Sequence, residues 1–297
     1  MFGRIAAGHT AKAAKKLFRF NSVALTAVVY LLWLGLDRVL PRSGDLYSYG
    51  LVMQFAALML PRSAYYSLRG SSLSDSMRIR FFPLSKTVLL LLFAAAVFCV
   101  NVLFGMLSGE GQGIVLASVP AEGGMVAVLS VAVFPALSEE LLFRGALLAE
   151  LEENGPVAAV TVSSLLFAMF HFSPERLVAT FFSGVLLSLC VYVTRSLAAS
   201  CTVHLVYNLA VLLGAERINA FFSVTDERAL IAVFLTVVLL ICLILIFGEC
   251  QRTYALFAEQ NAPSSYAVRG GLGALVSTLF SPACALCIII FIAALLL

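Results

Sequence analysis

Apolar residues in this chain fall in long blocks divided by short polar connections. Nine blocks can be marked: Asn21 to Leu36, Tyr47 to Leu60, Leu84 to Leu107, Met125 to about Glu153, Val157 to Phe172, Leu177 to Val193, Leu197 to Leu213, Ala229 to Phe247 and Leu272 to Leu297. A helix that crosses the hydrocarbon core needs about 20 apolar residues, within a range of roughly 17–25. The second block is the short one. The pattern predicts an all-α fold: a polytopic transmembrane helix bundle of about eight helices, with eight or nine spans. The fifth, sixth and seventh blocks lie so close together that they read as antiparallel hairpins with tight turns.

Composition agrees with the blocks. Of 297 residues, 62% are hydrophobic and 12% charged, against roughly 45–50% and about 25% in a soluble protein. That is too little charge to coat a globular surface and far too much apolar area for disorder. Mean hydropathy is +1.03, so lipid solvates most of the chain.

The net charge of +3 matters less than its distribution. Arg4, Lys12, Lys15, Lys16 and Arg19 precede the first block with no acid among them. Such a cluster can attract nucleic acid, but ahead of a span it sets orientation, and no nucleic-acid partner is expected. The first block is followed by further spans, so it reads as a retained signal anchor. The connection after the second block holds Arg62, Arg69, Arg78, Arg80 and Lys86 against Asp75 alone, whereas the one before the fourth holds Glu110 and Glu122 and no base. The expected arrangement is therefore integral and multi-pass, with the N-terminus cytoplasmic and the fourth helix ending at the cytoplasmic side near Glu153. Cys284 and Cys287 have CxxC spacing, but no second pair or nearby His completes a zinc site. They read as buried thiols. The stretch from Glu249 to Gly271 reads as a polar linker.

Ionisable groups at membrane depth cost ~2.5–3.5 kcal/mol each on insertion scales and by default mark function. They gather in the middle of the chain: Glu139, Glu140 and Arg144 in the fourth block, His171 in the fifth, His204 in the seventh. Glu140 and Arg144 are four apart and can pair on one helix face. Glu139 points about 100° away and is left without that partner. Such a carboxylate either keeps its proton or exchanges one with something bound. Glu139 and His171 lie equally far in sequence from the turn at Gly155–Pro156, which in an antiparallel pair puts them at the same height. His204 and Asn208, four apart, offer an imidazole and an amide on one face.

A carboxylate base, two imidazoles and an amide donor suit hydrolysis of a peptide bond. Glu139 would deprotonate a water, His171 would hold that water or a metal, and His204 with Asn208 would stabilise the oxyanion. The same groups also suit zinc, with Glu139, His171 and His204 as ligands and one position open to water. Spacing does not decide between these. There is no HExxH, no GxSxG elbow and no buried aspartate pair.

These residues carry a resemblance. Glu139-Glu140-Leu-Leu-Phe-Arg144, Phe167-Ala-Met-Phe-His171 and His204-Leu-Val-Tyr-Asn208 match, in order and on separate predicted helices, the EExxxR, FxxxH and HxxxN motifs. The chain thereby resembles the CPBP family of intramembrane proteases, the CAAX protease and bacteriocin-processing family that includes the Ras-converting CAAX endopeptidases. The resemblance implies a hydrophilic cavity within a helical bundle that cuts peptides near the membrane. Glu139 would be the base, Glu140 and Arg144 the rest of the first motif, His171 the second motif, and His204 with Asn208 the oxyanion side. The family is labelled metalloprotease, and a metal-free, glutamate-activated water is also proposed for it; zinc stays open, and no cofactor is certain. The expected partners are the bilayer and a peptide or protein substrate at the membrane, lipid-modified forms included, and the expected setting is a bacterial plasma membrane. The expected organisation is a basic cytoplasmic tail (1–20), N-terminal transmembrane helices (21–124), a catalytic core (125–213) and C-terminal transmembrane helices (214–297). The rival readings are a non-catalytic scaffold or immunity factor with a polar core, and a transporter with a proton relay, although the repeats and broken helices of transporters are not evident.

Overall fold

The computed structural model describes residues 21–41, 46–69, 78–108, 124–224, 227–259 and 271–296. The basic tail, Glu110 and Glu122 lie outside these. Every apolar block is helical, and no strand occurs among the described residues. Helix α1 is Ser22–Val39, opened by the Asn21 side chain accepting from the Ala24 N–H at 2.9 Å. Helix α2 is α-helical over Leu46–Met53, π-helical over Gln54–Met59 and α-helical again over Leu60–Arg69. Then follow α3 (Leu84–Leu107), α4 (Gly124–Asn154), α5 (Pro156–Met169), α6 (Leu177–Thr194), α7 (Leu197–Val224) and α8 (Arg228–Glu259). The last block is broken into α9 (Leu272–Leu279) and α10 (Pro282–Leu296), bent by 59°.

The protein is an integral, multi-pass membrane protein. Among the described residues six helices are long and apolar enough, by length and composition, to cross a bilayer, or seven if α9 and α10 form one span. The expected eight or nine also counted α2, which is long enough but too polar to meet that measure, because Arg62 and its neighbours belong to the helix itself. Arg62 is not in a connecting loop but buried within α2, 7% exposed. The expected total also included α5. With 14 residues, α5 extends only about 21 Å at 1.5 Å per residue, short of the roughly 30 Å core. The supposed linker from Glu249 is helical as far as Glu259.

Packing follows from which faces are apolar throughout. Helices α5 and α6 pack as an antiparallel pair; α6 and α7 lie on α3, and α10 lies on α1. The core between them holds Tyr30, Phe93, Leu142, Phe143, Leu147, Leu166 and Leu187. Most of α8 is exposed, the placement expected of a lipid-facing helix. On α10 one face, Cys284, Cys287, Ile290 and Phe291, is buried, and both cysteines are free thiols.

Helix α4 is irregular where it matters. It is π-helical over Val128–Val133 and again over Leu141–Leu147. The first widening immediately precedes Pro135, whose nitrogen cannot donate to the preceding turn. The second carries Arg144, and single π turns inside α-helices recur at functional sites.

Candidate active site

Glu139 and Glu140 lie in the α-helical middle of α4, and their surroundings differ. Glu140 is fully buried and its carboxylate is wholly engaged. Oε1 accepts from Arg144 Nη1 at 2.9 Å and from His204 Nδ1 at 3.0 Å, and Oε2 accepts from the Ser200 hydroxyl. Glu139 is 5% exposed, and its Oε2 is buried with no hydrogen-bond partner in the protein. The expected pairing of Glu140 with Arg144 and the isolation of Glu139 are both present in the geometry.

Arg144 is held from three directions. Besides Glu140, its Nη2 donates to the Gly184 carbonyl at 3.2 Å, and its guanidinium lies 4.1 Å from the centre of the Phe167 ring. A side chain at Gly184 would crowd its neighbours. A Cβ there would stand 3.0 Å from Ser164 Cβ and 3.2 Å from Arg144 Nη2.

His171 departs from expectation. Helix α5 ends at Met169, so His171 stands in the turn beyond it and is exposed rather than embedded in a span. Its Nδ1 is 3.0 Å from the Phe167 carbonyl, which can only accept. Nδ1 therefore carries the proton, and in the neutral ring the lone pair is on Nε2. By the same logic His204, on α7, donates Nδ1–H to Glu140. Asn208 is half-buried one turn further along α7.

Phe167 had two readings in the sequence, packing against His171 or ordinary helix packing. It is in fact the centre of the cluster. Its ring meets the imidazoles of His171 and His204 edge-on at 5.1 and 5.9 Å, and it meets Phe143 at 5.4 Å. Ser200 was missed. Its signal was available, a hydroxyl four residues before His204 and so on the same helix face. Gly184 was also missed, and no local pattern marks it.

The three residues open to zinc do not gather. Among the described residues no three His, Cys, Asp or Glu side chains converge as a ligand set, whereas a catalytic zinc takes three protein ligands. His204 gives its Nδ1–H to Glu140, which leaves Nε2 as its free ring nitrogen.

Residues 121–210 match the family model of Rce1-like proteins, the type II CAAX prenyl endopeptidases. That stretch contains all three motifs and the whole carboxylate–guanidinium–imidazole cluster. Over this stretch the chain is similar to the CAAX protease family. No curated protein and no solved structure matched the chain. The match supports a general class of chemistry, intramembrane proteolysis of a peptide or protein met in the membrane.

Proposed function

We propose that the chain is an intramembrane endopeptidase in which Glu139 activates a water, His171 holds it, and His204 with Asn208 receives the oxyanion. The supporting observation is the contrast between the two carboxylates: Glu140 is fully bonded, while Glu139 Oε2 is buried and unbonded.

A water beside Glu139 gives one hydrogen to its carboxylate and the other to His171 Nε2. As the water oxygen attacks the peptide carbonyl carbon, Glu139 takes the proton and the carbonyl oxygen becomes an oxyanion. His204 can donate from Nε2 only as the imidazolium, because its Nδ1–H is already given to Glu140. During attack one negative charge moves from Glu139 to the oxyanion, next to His204 and the Asn208 amide, and no net charge develops in a low-dielectric site. On collapse the C–N bond breaks and Glu139 returns its proton to the leaving amine.

The test is cleavage of a membrane-anchored peptide library by the purified protein, with and without chelator. Glu139→Gln keeps the fold and should lower the rate by at least about a hundredfold, the lower end of what a positioned base contributes. Cleavage retained in that variant would overturn the mechanism. Activity lost to chelator and restored by zinc would recast His171 and His204 as ligands.

A further inference from the structure

The residue after His171 has a backbone that its side chain disfavours. Phe172 has φ +47°, the left-handed region, which costs a bulky L-residue about 1–2 kcal/mol and at helix ends is normally given to glycine. The conformation closes the end of α5 completely. Leu166 O accepts from the Phe170 N–H at 3.1 Å and from the Tyr30 hydroxyl, and Phe167 O accepts from His171 Nδ1 at 3.0 Å. Ala168 O accepts from the His171 N–H at 3.3 Å, and Met169 O from the Phe172 N–H at 3.0 Å. All four terminal carbonyls are satisfied, one of them by the imidazole itself.

Glycine would adopt this φ without cost but would offer nothing to hold. The Phe172 ring meets Tyr30 of α1 edge-on at 5.4 Å and stacks on Phe291 of α10 at 6.4 Å. Phe170, two residues earlier, stacks on Tyr30 at 6.0 Å and meets Trp33 edge-on at 5.1 Å. Both clamping helices lie outside the matched stretch 121–210.

We propose that Phe172 is a positioning residue for His171: gripped between α1 and α10 in a left-handed backbone, it fixes the direction in which the His171 Nε2 faces the water on Glu139. This rests on His171 holding that water. The ring and the backbone act together, because losing the ring frees the turn, and a freed turn lets the imidazole leave the Phe167 carbonyl and exchange tautomers.

The test uses the full chain with a fluorogenic membrane-anchored peptide taken from the library, comparing Phe172→Gly, Phe172→Asn, Phe172→Tyr and His171→Ala. Glycine and asparagine both accept the left-handed backbone but lack the ring. Each should lower kcat on the order of tenfold to a hundredfold, the scale of a misplacement near one ångström, with KM held within about twofold. Tyrosine, which keeps the ring, should retain the wild-type rate. On the His171→Ala background Phe172→Gly should cost nothing further. An independent reading needs no substrate: nitrogen NMR of labelled histidine should show His171 as a single Nδ1–H tautomer in the wild type and as two tautomers in Phe172→Gly. A wild-type kcat and spectrum in Phe172→Gly, or a loss additive with His171→Ala, would overturn the positioning role and leave the proposed mechanism standing. Full turnover in His171→Ala would overturn both.

Discussion

At the Glu140–Arg144 pair, burial sets the consequences of change. Removing one partner of a buried ion pair leaves an uncompensated charge, which costs about 3–5 kcal/mol. Here Glu140 would lose its guanidinium partner inside a bundle where both side chains are fully excluded from solvent. Arg144→Met should therefore destabilise the protein on that scale, measured as a fall in the thermal midpoint in detergent. Arg144→Lys should recover little. An ammonium reaches Glu140 but cannot also donate to Gly184 O and lie flat on the Phe167 ring. A lysine variant as stable as the wild type would show that only charge matters at this position. Under the proposed mechanism the pair aims His204, and the adjacent glutamate, whose Oε2 has no hydrogen-bond partner among the described residues, is the one that acts on water.

Among the elements, what periodicity can express was readable in the sequence and what depends on contact was not. Each apolar block became a helix, and the i,i+4 relation of Glu140 to Arg144 held across a π-helical turn. The end of α5 was misjudged because Phe170, His171 and Phe172 are apolar or aromatic and extend the block, while the reversal at Phe172 is imposed by rings on α1 and α10 far away in sequence. Arg62 was misplaced for the opposite reason, since a charge signals a loop unless something buries it. At the acidic end of α4, Glu150 accepts from the Ser22 N–H at 2.6 Å and from Tyr65 Oη at 2.8 Å, contacts that no periodicity in the sequence expresses. The meeting of α5 and α6 gives a further prediction. Gly184→Ala places a methyl 3.1 Å from Ser164 Cα, and overpacking of this kind costs about 1–3 kcal/mol. Ser164→Gly in the same chain should restore part of the stability, because it removes the Ser164 Cβ that stands 3.0 Å from the new methyl. Two losses that merely add would mean the helices do not touch there in solution.

Across the whole molecule, polar bonds tie the helix ends together on one side. Glu150 joins the start of α1 to the end of α2, and Arg78 pairs with Glu152 at 2.8 Å. Lys86 meets Glu249 at 3.0 Å, and the Leu197 N–H donates to Arg78 O at 3.0 Å. The start of α1, the end of α2, the start of α3, the end of α4, the start of α7 and the far part of α8 therefore share one face, and the helices alternate in direction as a multi-pass chain requires. That face also bears Arg78, Arg80, Lys86 and Arg195, and the tail with Arg4, Lys12, Lys15, Lys16 and Arg19 leads into it. The opposite ends hold Arg38, Arg176, Arg217 and Arg228. Counting Lys and Arg alone, the tied face should be cytoplasmic. A tag at the N-terminus should then be cut by protease in inverted vesicles and protected in right-side-out ones, and the reverse pattern would invert the bundle. The orientation bears on access. His171 stands past the far end of α5, about 21 Å of helix from Pro156, within a core of about 30 Å. Under the proposed mechanism a peptide reaching Glu139 should enter below the level of the headgroups, and a bilayer-anchored peptide should be cut in preference to the same peptide free in solution.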